Sequence, residues 1–353
     1  MFGLSTTGGQ TGLPPSWRRG LAALGALGLM GALTLAGAVQ AAPALPLTLS
    51  DDEAKALLEH VQAAARDADY SGIVVYQQGQ ALQSSLLAHI MDGTGERERM
   101  YALDGEPREY LRHNDEVSYI LPQRKLVKQE TGKSGRFPSL LQGEAAKLLQ
   151  HYVVRVDDTG LARIAGRPCQ VAYIEPKDNY RYAHRVCIDQ ATGLLLKAQI
   201  IGQDGQVLEQ YAFAALDTGA DVDPTRLRGG SAEPDWEVQE SHMAPADLAS
   251  QGWRITPPPG FVPVMQVQRN LNHRETVSQL VLSDGLAAFS VFIEPLQSSQ
   301  RTGRPVREQA QRGATHIHGV RIADYWLTAV GEVPADALAH VVDAVEYVPG
   351  APQ

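Results

Sequence analysis

His316 and His318 alternate along a run that reads as a strand, so their imidazoles share a face and form half of a metal site. A complete site needs a third and a fourth ligand, and no neighbouring cluster offers them; the pair reads as polar surface. Gly132-Lys133-Ser134-Gly135 has the look of a phosphate-loop fragment, but the earlier glycine of such a loop is missing. Asp51, Asp52 and Glu53 follow Ser50 at the head of an apolar helical pattern, where acids complement the helix dipole rather than act as paired catalytic carboxylates. There is no H-E-x-x-H, G-x-S-x-G, Walker or dinucleotide-binding pattern. The reading is a binding protein, not an enzyme, with no metal and no cofactor.

Three groups of residues survive. Between 120 and 136 lie Arg124, Lys125, Lys128, Lys133 and Arg136 against Glu130 alone. Between 297 and 312 lie Arg301, Arg304, Arg307 and Arg312 against Glu308. Both are islands suited to phosphorylated head groups or acidic peptides. The third group is Cys169 and Cys187, the only two cysteines. The runs 168–175 and 180–188 read as strands. If Lys177–Asn179 closes them as a hairpin, Glu175 opposes Arg181 and Cys169 opposes Cys187, which predicts a disulfide in an oxidising compartment.

Export is expected. Arg18 and Arg19 precede an uncharged run from Gly20 to Val39 rich in Ala, Gly and Leu, and Val39-Gln40-Ala41 presents small residues for cleavage. Residues 1–41 therefore read as a signal peptide. They carry two of the 31 basic residues and none of the 40 acids, so 29 bases face 40 acids in the remainder, a net of −11. That balance disfavours nonspecific nucleic-acid binding. No later stretch is apolar enough to span a membrane.

The rest divides in two. Ser50-Asp51-Asp52-Glu53 is a capping box, and Ala54, Leu57, Leu58, Val61, Ala64 and Ala65 follow on one helical face. Short strands are predicted over 70–76, 82–90, 97–103, 109–112, 117–121 and 125–128, then a second helix within 137–152. Strands resume over 153–156, 161–164, the cysteine hairpin, 194–201 and 207–213. About eleven strands in sequence order make one antiparallel sheet that must curl. Two helices over its concave side leave an apolar cleft suited to a lipid, with Leu57, Leu58 and Val61 as the helix's contribution. Residues 42–223 form this domain and 224–235 the core of a linker. Residues 236–350 form a small α+β domain, with strands at 261–268, 276–282, 286–293, 315–317 and 325–330. In it Asp284-Gly285 predicts a tight primed turn, and a last helix carries Leu338, Val341, Val342 and Val345. The fold class is α+β, a large antiparallel half-barrel sheet covered by helices plus a second, smaller α+β domain.

At this level of detail the chain resembles the RseB/MucB family. The resemblance rests on Asp69-Tyr70-Ser71-Gly72, Glu96-Arg97-Glu98-Arg99, Leu103-Asp104-Gly105, Arg163-Ile164-Ala165-Gly166-Arg167 and Tyr180-Arg181-Tyr182. It continues through Gly205-Gln206-Val207-Leu208-Glu209-Gln210-Tyr211, Leu282-Ser283-Asp284-Gly285-Leu286 and Arg301-Thr302-Gly303-Arg304. No one motif is specific; their order and spacing across 50–350 are. The resemblance implies a lipoprotein-carrier-like half-barrel and a periplasmic regulator that binds the periplasmic segment of a single-pass anti-sigma factor. It further implies shielding of that segment from proteolysis, restraint of the envelope-stress sigma factor, and release on lipid-bearing signals, lipopolysaccharide among them. On this reading Arg301, Arg304 and Arg307 contact the partner. Arg124, Lys125, Lys128, Lys133 and Arg136 meet lipid phosphates or the same peptide, and Leu57, Leu58 and Val61 line the lipid site. The other reading of the large domain is a periplasmic lipid or lipoprotein carrier, against which the second domain argues. The cysteine pair is not among the residues that carry the resemblance.

Overall fold

The computed structural model describes residues 46–131, 140–141, 143–157, 162–230, 235–241, 243–271, 275–296 and 306–348. The expected signal peptide, Lys133, Arg136, Arg301 and Arg304 lie outside them. The described residues form one compact unit.

Helix α1 (Asp51–Asp67) begins where the capping box places it. The Ser50 N–H donates to the Glu53 carboxylate at 2.9 Å, and the Glu53 N–H donates back to Ser50 Oγ at 3.4 Å. Ala54, Leu58, Val61 and Ala64, spaced by four and three, are its buried face. With Leu148 and Leu149 of α2 (Ala145–His151) they cover one side of a large sheet, against Tyr70, Val74, Leu87, Val186, Ala198 and Phe213.

That sheet has 14 strands, but not in chain order. Six strands from Tyr70–Gln78 to Leu126–Thr131 run outward in sequence. After α2 the chain restarts at the opposite side with Tyr152–Val156, and Arg167–Pro176, Ala183–Asp189 and Leu195–Ile201 walk back toward the middle. Val207–Thr218 then pairs with Tyr70–Gln78, Tyr211 opposite Tyr76 and Thr218 opposite Tyr70. A sequence-ordered meander would have left the apolar 70–76 run at an edge; the crossover buries it at the centre. A bulge between Phe213 and Ala215 bends the joint, and Gly72 faces it because a side chain there would collide with the Ala215 carbonyl.

The cysteine hairpin also differs from expectation. Its strands are Arg167–Pro176 and Ala183–Asp189, joined by a longer loop over 177–182. Val171, not Cys169, opposes Cys187, and Cys169 opposes Asp189. Cys169 and Cys187 are still joined by a disulfide, with Cα atoms 5.5 Å apart, across the diagonal. Glu175 pairs with Arg155 at 3.1 Å instead of Arg181, which lies in the loop. The two-residue shift keeps every side chain on its expected face, so alternation alone could not reveal it.

The linker is built into the large domain. Leu227 is buried, Arg99 donates to the Arg226 carbonyl at 2.9 Å, and the Gly230 N–H donates to Glu109 at 2.9 Å. The strand Glu237–Ser241, expected in the second domain, runs parallel to Leu126–Thr131 as an edge of the large sheet. The second sheet runs Met243–Pro245, Val262–Leu271, Glu275–Ser283, Ala288–Pro295, Tyr325–Gly331, Thr315–Ile322, Arg307–Arg312. Helix α3 (Ala335–Ala344) covers one face over Leu280, Phe289, Val291, Leu327 and Ala329. Asp284 opens a longer loop than a two-residue primed turn, its carboxylate accepting from the N–H groups of Leu286 and Ala287 at 2.9 and 2.7 Å.

A disulfide closing a loop of this length stabilises by about 3 kcal/mol. Thiol titration of unreduced, denatured protein is expected to find no free thiol, and Cys169→Ser/Cys187→Ser should lower the unfolding free energy by about that amount. Two titratable thiols per chain would reject the bond.

Candidate functional site

A buried polar cluster ties the two sheets together. Arg181, in the 177–182 loop, is 1% exposed. Its Nε donates to Asp284 Oδ2 of the second domain at 2.6 Å; its other nitrogens bond the Asp178 carboxylate and the Pro259 carbonyl. The guanidinium lies 4.8 Å from the Phe261 ring centroid and 5.8 Å from that of Tyr152. Tyr152 donates its hydroxyl to the same Asp284 oxygen at 2.9 Å, and burial raises its phenol well above the usual range. The Gly143 N–H donates to the Gly285 carbonyl at 3.0 Å, a backbone approach that a Cβ at either glycine would block.

A second seam lies at another hairpin tip. Glu209, buried on the large sheet, accepts from Tyr76 Oη, from Gln78 Nε2 at 2.9 Å and from the Ala314 N–H of the second domain at 2.7 Å. Nearby, Tyr182 stacks on His316, and Tyr180 meets His340 of α3 edge-on. The histidines read as surface are not: His318 is 5% exposed, and His316 Nδ1 lies 2.9 Å from the Val333 carbonyl. Among the described residues no group of His, Cys, Asp and Glu could hold a metal.

Behind the Arg181 loop, His184 is buried with no hydrogen-bond partner for Nδ1 among the described residues. Burial lowers its pKa to about 4, with Asp284 pulling the other way. Burial and the neighbouring Arg181 charge also lower that of His151. The junction is thus built to keep one cation, Arg181, and to exclude a second.

The residues singled out by sequence lie elsewhere and apart. Leu58 and Val61 are each 2% exposed within the core and Leu57 packs at its margin, so they line no open cleft in this state. Arg124 lies 3.9 Å from Glu106 and Lys125 2.6 Å from Asp235, pairings that blunt the first basic island; Lys128 is exposed on its strand. Arg307 opens the last strand of the second sheet and pairs with Asp343 at 2.5 Å. The junction itself was missed. Arg181 and Asp284 were visible only as pieces of unrelated local patterns, 103 positions apart.

A family model described as the MucB/RseB N-terminal domain matches residues 53–230, and one described as the MucB/RseB C-terminal domain matches 247–346. The chain belongs to the MucB/RseB family. Sigma factor AlgU regulatory protein MucB of Pseudomonas aeruginosa is 30% identical over 299 residues, 82% of this chain and 90% of that protein. Sigma-E factor regulatory protein RseB of Escherichia coli strain K12 is 24% identical over 303 residues, 83% of this chain and 90% of that protein. Two solved structures also align: the complex of P. aeruginosa MucA and MucB (27% identity, TM-score 0.67) and MucB with MucA(peri) (27% identity, TM-score 0.65). Each covers 84% of this chain and 100% of the solved one. MucB/RseB proteins are regulatory binding proteins, not enzymes.

Two outcomes are expected. Arg181→Met strands Asp284 in a buried site, which should cost about 3–5 kcal/mol and split calorimetric unfolding into two transitions; one unshifted transition would contradict the lock. His184 has a folded pKa of about 4 against an ordinary 6.5. As pH falls below 6.5 the unfolded chain gains a proton that the folded chain refuses, so stability present above pH 6.5 is lost progressively toward pH 4. The loss approaches about 3 kcal/mol. His184→Phe should show a shallower slope in urea-melt free energy between pH 6.5 and 4, and equal slopes would exclude this assignment.

Proposed function

We propose that this protein is a periplasmic regulator that binds the periplasmic segment of a single-pass anti-sigma factor, shields it from regulated proteolysis and so restrains an envelope-stress sigma factor. The observation that carries the reading is the likeness, over both domains, to MucB solved with the periplasmic part of MucA. The second domain would be superfluous in a simple lipid carrier, yet here it is fastened to the first by a buried ion pair. The acidic overall charge fits a protein that meets partners through local basic islands rather than a general field.

The finer assignments belong to the same proposal. Arg301, Arg304 and Arg307 contact the partner, and Arg124, Lys125, Lys128, Lys133 and Arg136 meet lipid phosphates or the same peptide. Lipid-bearing signals weaken the grip by entering beneath α1, where Leu57, Leu58 and Val61 would be exposed to an acyl chain. Leu58 and Val61 are buried in the resting state, so on this reading the site opens only as lipid replaces their core contacts.

Affinity capture from membranes with the full chain is expected to recover a single-pass protein carrying a sigma factor on its other side, and adding the chain should slow cleavage of that protein's periplasmic segment. Recovery of free lipid or lipoproteins alone, with cleavage unaffected, would favour a carrier. Arg301→Ala/Arg304→Ala should weaken partner binding by about 3- to 10-fold at low salt and less at high salt. Unchanged affinity at low ionic strength would remove these arginines from the site.

A further inference from the structure

The second sheet ends on Arg307–Arg312, a strand paired on one side only among the described residues, with all six residues exposed. Its register decides which backbone groups remain open. Arg307 lies opposite Val320, so Val306 lies opposite Arg321, and the Arg321 N–H donates to the Val306 carbonyl at 3.0 Å. Hydrogen-bonded pairs alternate along an antiparallel ladder. Glu308, Ala310 and Arg312 therefore bond inward, and the N–H and C=O groups of Arg307, Gln309 and Gln311 point away from the sheet. The sheet's opposite edge, Met243–Pro245, is three residues long and ends in proline, the usual protection of an edge; Arg307–Arg312 has neither device.

A hollow of about 470 Å³ adjoins this edge on the face turned away from α3. It is lined by Glu308, Ala310, Ile317, Gly319, Trp326 and Thr328. Gly319 makes room for the indole, since a Cβ there would sit 2.5 Å from the Trp326 ring, and Ile317 is 40% exposed. Open backbone beside an apolar hollow is the arrangement by which a sheet edge takes up an extended peptide: main-chain bonds hold it and alternate side chains are read by the pocket.

We propose that Arg307–Arg312 is a strand-addition site for an extended segment of the anti-sigma partner, which places an apolar side chain in the Trp326 hollow and carboxylates against Arg307 and Arg312. The proposal rests on the functional reading above. Charge favours this occupant: the edge carries Arg307 and Arg312 against Glu308 alone and so complements carboxylates, whereas a second copy would present the same excess of positive charge. The exposed Arg307–Asp343 pair gives way readily, since a surface ion pair contributes little.

Gln309→Pro removes one outward N–H and leaves the inward ladder intact, while Gln309→Ala keeps the donor. Calorimetric titration uses the full chain and the purified periplasmic segment of the captured anti-sigma factor. Gln309→Pro should bind about tenfold more weakly or worse, with Gln309→Ala close to the parent, because only the proline loses a main-chain bond. Ile317→Asp, which puts a charge in the hollow without touching the backbone, should weaken binding as well and guards against a misfolded proline variant. Parent-like affinity in both Gln309→Pro and Ile317→Asp overturns the site while the functional reading stands. A parent protein that does not bind the segment overturns the functional reading and this assignment with it. A parent dimer that Gln309→Pro turns into a monomer gives the edge to a second copy and overturns the proposal.

Discussion

The arrangement of the two sheets turns on a guanidinium buried between them, that of Arg181. Removing Arg181 from solvent is tolerable only if each of its edges is answered, and the answers come from both domains: Asp178 from its own loop, Asp284 and the Pro259 carbonyl from the other side. Such a pair adds little net stability compared with an apolar contact of the same shape, because desolvation offsets most of the attraction. What it confers is exclusivity. A docking angle that kept either Arg181 or Asp284 buried without the other would be several kcal/mol worse.

The lock is only as firm as the loop that presents it. The 177–182 loop is the tip of the hairpin Arg167–Pro176 and Ala183–Asp189, whose far end is held by the Cys169–Cys187 bond and by Arg167 on Asp189 at 2.7 Å. On the opposing side the Asp284 loop is fixed by its own Asx bonds before it meets Arg181. Two preformed tips therefore meet with little left to order on docking. The linker, which in a loosely tethered pair would be free, is instead pinned by Arg99 and Glu109 and continues as the strand Glu237–Ser241.

What could be read beforehand, and what could not, follows from the range of the interaction. The capping box at Ser50 and Glu53 is local and was legible, as was the buried stripe of α1. Alternation gave the strands but not their order, because placing Val207–Thr218 beside Tyr70–Gln78 is a tertiary choice. The cysteine pair announced a bond, yet the register failed by two residues, an error that leaves every face unchanged. Arg307–Arg312 carried no strand signal because neither of its faces is buried. Arg181 and Asp284 could not be joined in advance, since nothing local marks two charges as each other's counter-ion. The RseB/MucB resemblance supplied the function, a reading that no one of these side chains could have given.

If lipid is the signal, as proposed, a protein locked in this way would respond to it only where the lock does not reach. Parting the domains means hydrating or abandoning a buried ion pair. Lifting α1 from the sheet exposes apolar side chains instead, roughly 1.5–3 kcal/mol each for Leu58 and Val61. An acyl chain recovers about 0.8 kcal/mol per buried methylene, so a modest length of lipid offsets the contacts that it displaces. Water offers no such compensation, so in the proposed mechanism the helix would stay closed without a ligand. On the proposed function the ion pair and the helix stripe would divide the work by their chemistry: one would hold the geometry that a partner recognises, and the other would be the opening that an apolar signal uses.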